Sequence, residues 1–430
     1  MWVRRFAASV ALLLWQSLAL AGTIPQVLPP DRGLQPAQLA VVVNERDPLS
    51  ERIGQMYIRM RGIPAANLVR VSFEPDRSTV EPGTFVVQRR RVEAQLPPGI
   101  QAYALAWTTP YRVGCMSITS AFAFGYDRAF CAEGCQWTRS SPYAGSQTSR
   151  PFEDLNLRPA MMLAAADFAQ AERLIQRGIQ ADGSLPQGSA YLLQTSDKAR
   201  STRAVVFPEA AQRFGYRLPV QVLLDDALRN RPDVMLYETG LVNVPDLASN
   251  HYLPGAAADH LTSFGGQLTD SSQMSALRWL EAGATGSYGT VVEPCSFTQK
   301  FPNPVLFLDA YLRGETLLEA YWKSVLMPGQ GVFIGEPLAR PYAAYRSVRD
   351  KGRWWVTSPA LTAGAYNIWA ANSAAGPFQR VAAGVEVSRY APRLRLPEPV
   401  KSFYRLEPLA NFGEAFAPVS LPIVKGKERL

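Results

Sequence analysis

Leu39-Ala40-Val41-Val42-Val43-Asn44, followed closely by Asp47-Pro48, decides the fold class of this chain. An apolar run without alternation is what a strand buried on both faces needs, and parallel sheets under helices bury both faces. Asp47 can accept amides of a first helical turn, and Pro48 suits that turn because it has no amide to satisfy. Ile53, Met56, Tyr57 and Met60 fall on one helical face, and Gly62 with Pro64 end the helix. Leu68 to Ser72 is the next strand, so the unit is strand–helix–strand.

The alternation continues outward. Ala102 to Trp107, Ala160 to Ala164, Ala190 to Thr195, Val220 to Leu224, Asp233 to Tyr237 and Gly331 to Ile334 read as strands. Asp167 caps a helix carrying Phe168, Ala171, Leu174 and Ile175 and ended by Gly178. Residues 198–214 make another. Ser271 caps a third with Met274, Leu277 and Leu280, ended by Gly283. This order predicts an α/β fold over 37–343: a mostly parallel, doubly wound sheet.

Residues 108–158 break the rhythm with three cysteines and Phe122, Phe124, Tyr126, Phe130 and Trp137. A long irregular insertion is expected to serve as a wall or lid, here beyond the strand ending at Trp107. Further on, Trp354-Trp355-Val356, Ala365 to Trp369 and Val385-Glu386-Val387 predict a small β-sandwich-like module at 344–407, with a tail at 408–430. Trp354, Trp355 and Trp369 are either its core or a sugar-stacking patch. Residues 22–36, with four prolines, are expected to be extended.

Arg4 and Arg5, the apolar stretch Ala7 to Leu20 and Ala19-Leu20-Ala21 make residues 1–21 a secretory signal peptide. No later stretch is expected to span a membrane. Loss of Arg4 and Arg5 lowers the formal charge from +8 to +6. The cations are scattered, and the densest run, Arg89-Arg90-Arg91, reads as a solvated helix face, so nucleic acid is not an expected partner. In an oxidising compartment Cys115, Cys131, Cys135 and Cys295 are disulfide candidates. Of three pairings, Cys131 with Cys135 and Cys115 with Cys295 is preferred. A four-thiolate zinc site is the alternative, but only one pair is closely spaced. No metal or cofactor is expected.

The chain has two histidines, His251 and His260, and no HExxH, GxSxG, GxGxxG or Walker motif. His260 lies among small residues and glycines (Gly255 to Gly266) that permit close backbone approach. It is the candidate general base, with Asp270 and Glu293 as candidate carboxylates of one cleft. A Ser263–His260–Asp270 triad can be written but lacks a nucleophile elbow. Satisfied packing for His260, a turn for Glu293 and a surface loop for His251 are the structural readings. Gly335-Glu336-Pro337 is expected to make a turn.

Gly283 to Val291 before Glu293-Pro294, Tyr311-Leu312 with Gly314-Glu315-Thr316-Leu317, Glu319-Ala320-Tyr321-Trp322, and Gly335-Glu336-Pro337-Leu338 with Arg340-Pro341-Tyr342 form a recognisable series. With Val43-Asn44, Arg61 to Pro64 and Asn67, it resembles an uncharacterised family of exported bacterial proteins found beside exosortase sorting systems. The resemblance spans about 38–343 and implies an envelope setting, with no activity attached. The order over 230–340 also resembles the gingipain-type caspase-like cysteine peptidases. That likeness implies a catalytic histidine after one strand and a catalytic cysteine at the end of a later one. Leu241 stands at the first position, and Leu253 to Ala257, taken as the second, holds no cysteine. The combined expectation is an exported accessory protein binding an envelope peptide or polysaccharide on a caspase-like scaffold without its dyad. The alternative is an atypical peptide or glycan hydrolase using His260, Asp270 and Glu293.

Overall fold

The opening apolar run becomes β1 (Leu39–Asn44), buried along its whole length. It joins β2 (Leu68–Val71), β3 (Ala102–Leu105), β4 (Ala160–Met162), β5 (Ser189–Gln194), β6 (Val220–Leu224), β7 (Val234–Thr239), β8 (Tyr252–His260), β9 (Gly286–Thr290) and β10 (Gly331–Gly335) in one sheet. The order is β6-β5-β7-β8-β9-β10-β4-β3-β1-β2. This computed structural model describes residues 24–409 apart from 31, 133, 134 and 389. The expected signal peptide and residues 410–430 of the expected tail lie outside the described residues.

The sheet is mixed at one place. Every neighbouring pair is parallel except β9 with β10, where Gly286 faces Gly335 and Thr290 faces Gly331. It therefore has two parallel halves of opposite direction, whose carboxyl ends lie at opposite edges. Helices cover both faces: α1 (Pro48–Arg61), α2 (Pro82–Gln95), α3 (Ile118–Phe124), α4 (Pro151–Leu155), α5 (Phe168–Ala181), α6 (Phe207–Phe214), α7 (Leu277–Ala282), α8 (Pro304–Leu312) and α9 (Leu317–Ser324). Residues of α1, α5, α6, α8 and α9 share a core with Val41, Val43, Ala104, Met161 and Leu192. Residues of α2, α3 and α7 pack on Val42, Tyr103, Leu105 and Met162. Among the described residues no helix is long and apolar enough to cross a membrane.

Local signals explain most boundaries. Asp47 Oδ1 accepts the Leu49 amide at 2.9 Å, and Gly62 ends α1 at φ 63°. Three expectations need correction. Gly178 does not end α5, which runs on to Ala181; a Cβ there would meet Glu336 Oε2 at 2.3 Å, so the glycine serves a close approach. Ser271 does not cap α7, which starts at Leu277. Its hydroxyl accepts the Gln273 amide at 3.0 Å and donates to the Phe264 carbonyl at 2.8 Å, folding a turn instead. Residues 198–214 divide into a 3-10 turn, Ser201–Val206, and α6.

The insertion after β3 is a strap rather than a lid. α3 packs on β10 and β4, with Phe122 in the core. Further along, the Ser141 amide donates to the Leu326 carbonyl at 2.7 Å and Lys300 Nζ to the Gln136 carbonyl at 3.0 Å. The segment thus runs from the carboxyl end of β3 to the carboxyl end of β9 and packs in both layers, with Phe122 in one and Tyr143 in the other. Its cysteines pair as Cys115–Cys131 and Cys135–Cys295, not as the preferred pairing. Cys131 follows the turn Arg128–Phe130 in extended geometry, beside the Arg112–Ser117 hairpin that carries Cys115. Cys135 is delivered to the loop after β9, with Cα 5.3 Å from that of Cys295. Four residues of separation did not place Cys131 and Cys135 together.

Beyond residue 345, two small sheets share the core of Val356, Ile368, Leu394 and Tyr404. Gln26–Val27, from the segment expected only to be extended, pairs in parallel with Phe403–Tyr404. Trp354 lies against that core. Trp355, next along the strand and so on its other face, lies under Arg393 at 4.4 Å, and Trp369 Nε1 donates to Glu407 Oε2 at 2.9 Å.

Candidate functional site

Strand alternation in β7 and β8 sorts their polar residues onto two faces. Leu236, Glu238, Ala257 and Asp259 face the α6–α8 layer, whereas Tyr237, Ala258 and His260 face the layer of Trp279. Asp259 and His260 are adjacent in sequence and divided by the sheet.

His260 ends β8 and is 0% exposed. Trp279 Nε1, which can only donate, lies 3.0 Å from Nδ1, so Nδ1 accepts. Nε2 then carries the proton and donates to the Met274 carbonyl at 3.1 Å. Both nitrogens are used, and burial pushes the imidazole pKa down to about 3, so the ring is neutral at physiological pH. Around it the chain is crowded: a Cβ on Gly289 would meet Gly265 and Gly266 backbone at 2.4–2.5 Å.

The other two candidates are on exposed turns. Asp270 accepts the Tyr111 hydroxyl. Glu293 Oε1 accepts the Cys295 amide at 2.7 Å, shaping the turn that presents the disulfide. No hydrogen bond or ion pair joins any two of His260, Asp270 and Glu293. His251 is exposed, and its carbonyl accepts the Val234 amide at 3.0 Å. All four cysteines are in disulfides, so no sulfur is a free thiol. Leu241 lies just past β7, and Leu253 to Ala257 lie within β8, which ends at His260. Among the described residues no cluster of three His, Cys, Asp or Glu is arranged to hold a metal ion.

The sequence reading missed a buried ionic cluster. Arg203, from the 3-10 turn before α6, reaches between Glu238 and Asp259, which are register partners on β7 and β8. Its Nη1 lies 2.7 Å from Asp259 Oδ1 and 3.3 Å from Glu238 Oε2, and all three side chains are at most 2% exposed. Nη2 donates to the Thr239 carbonyl at 2.9 Å. Beyond the Arg203 guanidinium, the four carboxylate oxygens have no donor. Burial raises the pKa of both acids, Glu238 well above the usual range, while Arg203 pulls the other way. One cation cannot balance two ionised carboxylates here, so the pair retains a proton. Acidic residues inside otherwise apolar strands were the signal available in sequence.

Arg203 also lines a small cleft walled by Val205, Val206, Phe301, Pro302, Leu306 and Leu326. It opens beyond the carboxyl end of β7, where open α/β sheets place ligands. Nearby Lys300 is buried, and burial lowers its pKa to about 8.

No family model matches the chain, and no curated protein matches it. Among solved structures it is weakly similar to the complex of Porphyromonas gingivalis RgpB pro- and mature domains: TM-score 0.44 at 9% identity, covering 84% of this chain and 93% of that one. A structure described as a protease gives 0.40 at 10% identity, covering 84% and 97%. Both likenesses are weak.

Proposed function

We propose that this chain is an exported accessory protein of the bacterial envelope, set beside exosortase-type sorting, that binds an extended peptide or polysaccharide without cleaving it. One observation carries the reading. Its only buried imidazole is spent inside the fold, between Trp279 and Met274, and its four cysteine sulfurs are spent in disulfides. A thiol–imidazole pair is thus not at hand on a sheet whose strand ends still frame a cleft. Hydrolysis through His260, Asp270 and Glu293 is disfavoured because the imidazole is buried with both nitrogens engaged.

The test pairs capture with turnover. Purified protein is incubated with envelope extract, and with fluorogenic peptide and glycoside substrates. Capture of envelope peptide or glycan, equal for wild type and His260→Gln, with no turnover by either, is the expected result. Turnover by wild type that His260→Gln abolishes would overturn the reading.

A further inference from the structure

The ten-stranded sheet has two edges, and among the described residues only one is closed. At the β2 edge, α2 lays side chains along the strand: the Arg70 amide donates to Gln95 Oε1 at 3.0 Å, Gln95 Nε2 donates back to the Arg70 carbonyl at 3.0 Å, and the Ser72 amide donates to Gln88 Oε1 at 2.9 Å. Side-chain amides thereby occupy the groups an added strand would use.

At the other edge, β6 pairs only with β5. The Ala190 amide takes the Pro219 carbonyl at 2.8 Å, which sets the phase of the parallel ladder. Pro219, Gln221 and Leu223 face β5, so the amides and carbonyls of Val220, Val222 and Leu224 point outward. Among the described residues no side chain or loop bonds to them. The usual guards of an edge, a lysine or a proline within the strand or a bulge, are absent from Val220–Leu224. Val222 is 39% exposed and Leu224 80%. The strand runs into exposed Asp225 and Asp226. Asp225 accepts only the Ala227 amide; Asp226 accepts the Ser196 amide and hydroxyl, which hold its pKa below the usual range. Neither has a cationic partner among the described residues.

We propose that the β6 edge docks an extended polypeptide segment of a partner, apolar at alternate positions and carrying lysine or arginine where it passes Asp225 and Asp226. The free backbone groups select an extended chain, Val222 and Leu224 select apolar side chains, and the acidic exit selects a cation. A second copy fits less well, because pairing two five-residue strands falls short of the roughly 1,000 Å² of buried surface expected of a stable association. The proposal rests on the binding reading above and narrows its ligand to peptide.

Val222→Pro is the selective variant. It deletes an outward amide and leaves the β5 ladder intact, since Val222 does not bond β5. A random heptapeptide display library is selected on immobilised full chain, wild type against Val222→Pro and Leu224→Lys, with melting temperatures confirming that all fold. Wild type should enrich peptides with alternating apolar residues and a basic end, and both variants should retain them at least tenfold less. Hydrogen exchange with the enriched peptide should slow at the Val222 and Leu224 amides, leaving Gln221 and Leu223 as they were. Asp225→Asn should weaken it several-fold at low salt. Equal enrichment on Val222→Pro, or none on wild type, overturns the proposal. So does concentration-dependent dimerisation of wild type that Val222→Pro abolishes, which gives the edge to a second copy. Capture of envelope polysaccharide without peptide overturns this inference while leaving the broader reading in place.

Discussion

Two buried arginines hold this molecule together in opposite ways. Arg61 of α1 meets Glu336, just past β10, through Nε at 2.9 Å and Nη2 in a bidentate grip, and its Nη1 reaches Asp182. Tyr57 adds its hydroxyl to Glu336 Oε1 at 2.5 Å, and the Arg340 amide donates to Asp182 Oδ1 at 3.1 Å. Every charged oxygen named there is met by a donor. Arg203 has the same stoichiometry, one guanidinium to two carboxyl groups, but its acids lie side by side in the sheet with no donor besides that guanidinium. Equal charge counts thus give a satisfied clamp at one place and a frustrated pair at the other. The turn expected at Gly335-Glu336-Pro337 is also an ionic anchor for α1, and Gly178 makes room for it.

The comparison is broken most directly by Arg203→Met. The proton-sharing carboxyl pair would remain buried with no cation, a loss of about 3–5 kcal/mol in urea unfolding. Restoring most of that loss by adding Glu238→Gln and Asp259→Asn would place the penalty on the stranded charges. A loss confined to about 1 kcal/mol would show that Arg203 merely fills space.

Next in size is Glu336→Gln. It keeps the shape but takes away the charge that Arg61 grips and weakens the acceptor for Tyr57, so about 2–3 kcal/mol should go. If Glu336→Gln costs nothing, the claim of a satisfied clamp fails.

His260 sharpens the contrast from the uncharged side. Its folded pKa is depressed to about 3, so between about pH 6.5 and 3 the unfolded chain binds a proton that the folded chain refuses. Stability therefore falls as pH drops through that window, by up to about 1.4 kcal/mol per pH unit from this residue. His260→Gln should flatten the slope by that amount in parallel pH titrations of urea unfolding. Identical slopes would mean the imidazole takes a proton in the folded state, and with it that the ring is less sealed than Trp279 and Met274 make it.

Much of the sheet was legible because β1, β3, β4, β5, β7 and β10 are short apolar runs between breakers, and burial on both faces leaves that mark. β8 was harder: Pro254 and Gly255, the latter at φ 90°, interrupt it, and Ala256 to Ala258 carry little strand propensity. Strand direction was not legible at the junction, since a Gly-rich run pairs as readily either way and the helices between β9 and β10 decide. The same limit applied to the cysteines, whose partners depend on where a strap crosses a sheet. At the site, His260 was legible as a residue and not as an environment; the indole that occupies Nδ1 lies nineteen residues on, in α7. Glu238 and Asp259 were visible as acids in apolar strands, but their meeting at one arginine needs the register of β7 on β8.

The smallest effect is the most discriminating. Burial raises the pKa of Glu238, so the folded pair keeps a proton that the unfolded chain gives up above about pH 4.5. The sign is opposite to that of His260: each further unit of pH costs wild type stability until the folded pair itself ionises. Glu238→Gln supplies a neutral side chain of the same shape. Near pH 4.5 it should sit within about 1 kcal/mol of wild type, and it should gain on wild type as pH rises, by at most about 1.4 kcal/mol per unit. Glu336→Gln, at the clamp, should lose stability at pH 7 under the same conditions. Two Glu-to-Gln changes of opposite sign, each in contact with a buried arginine, would separate a carboxylate the fold needs charged from one it prefers neutral; two losses of equal size would make the clusters alike and leave the Arg203 pair fully ionised.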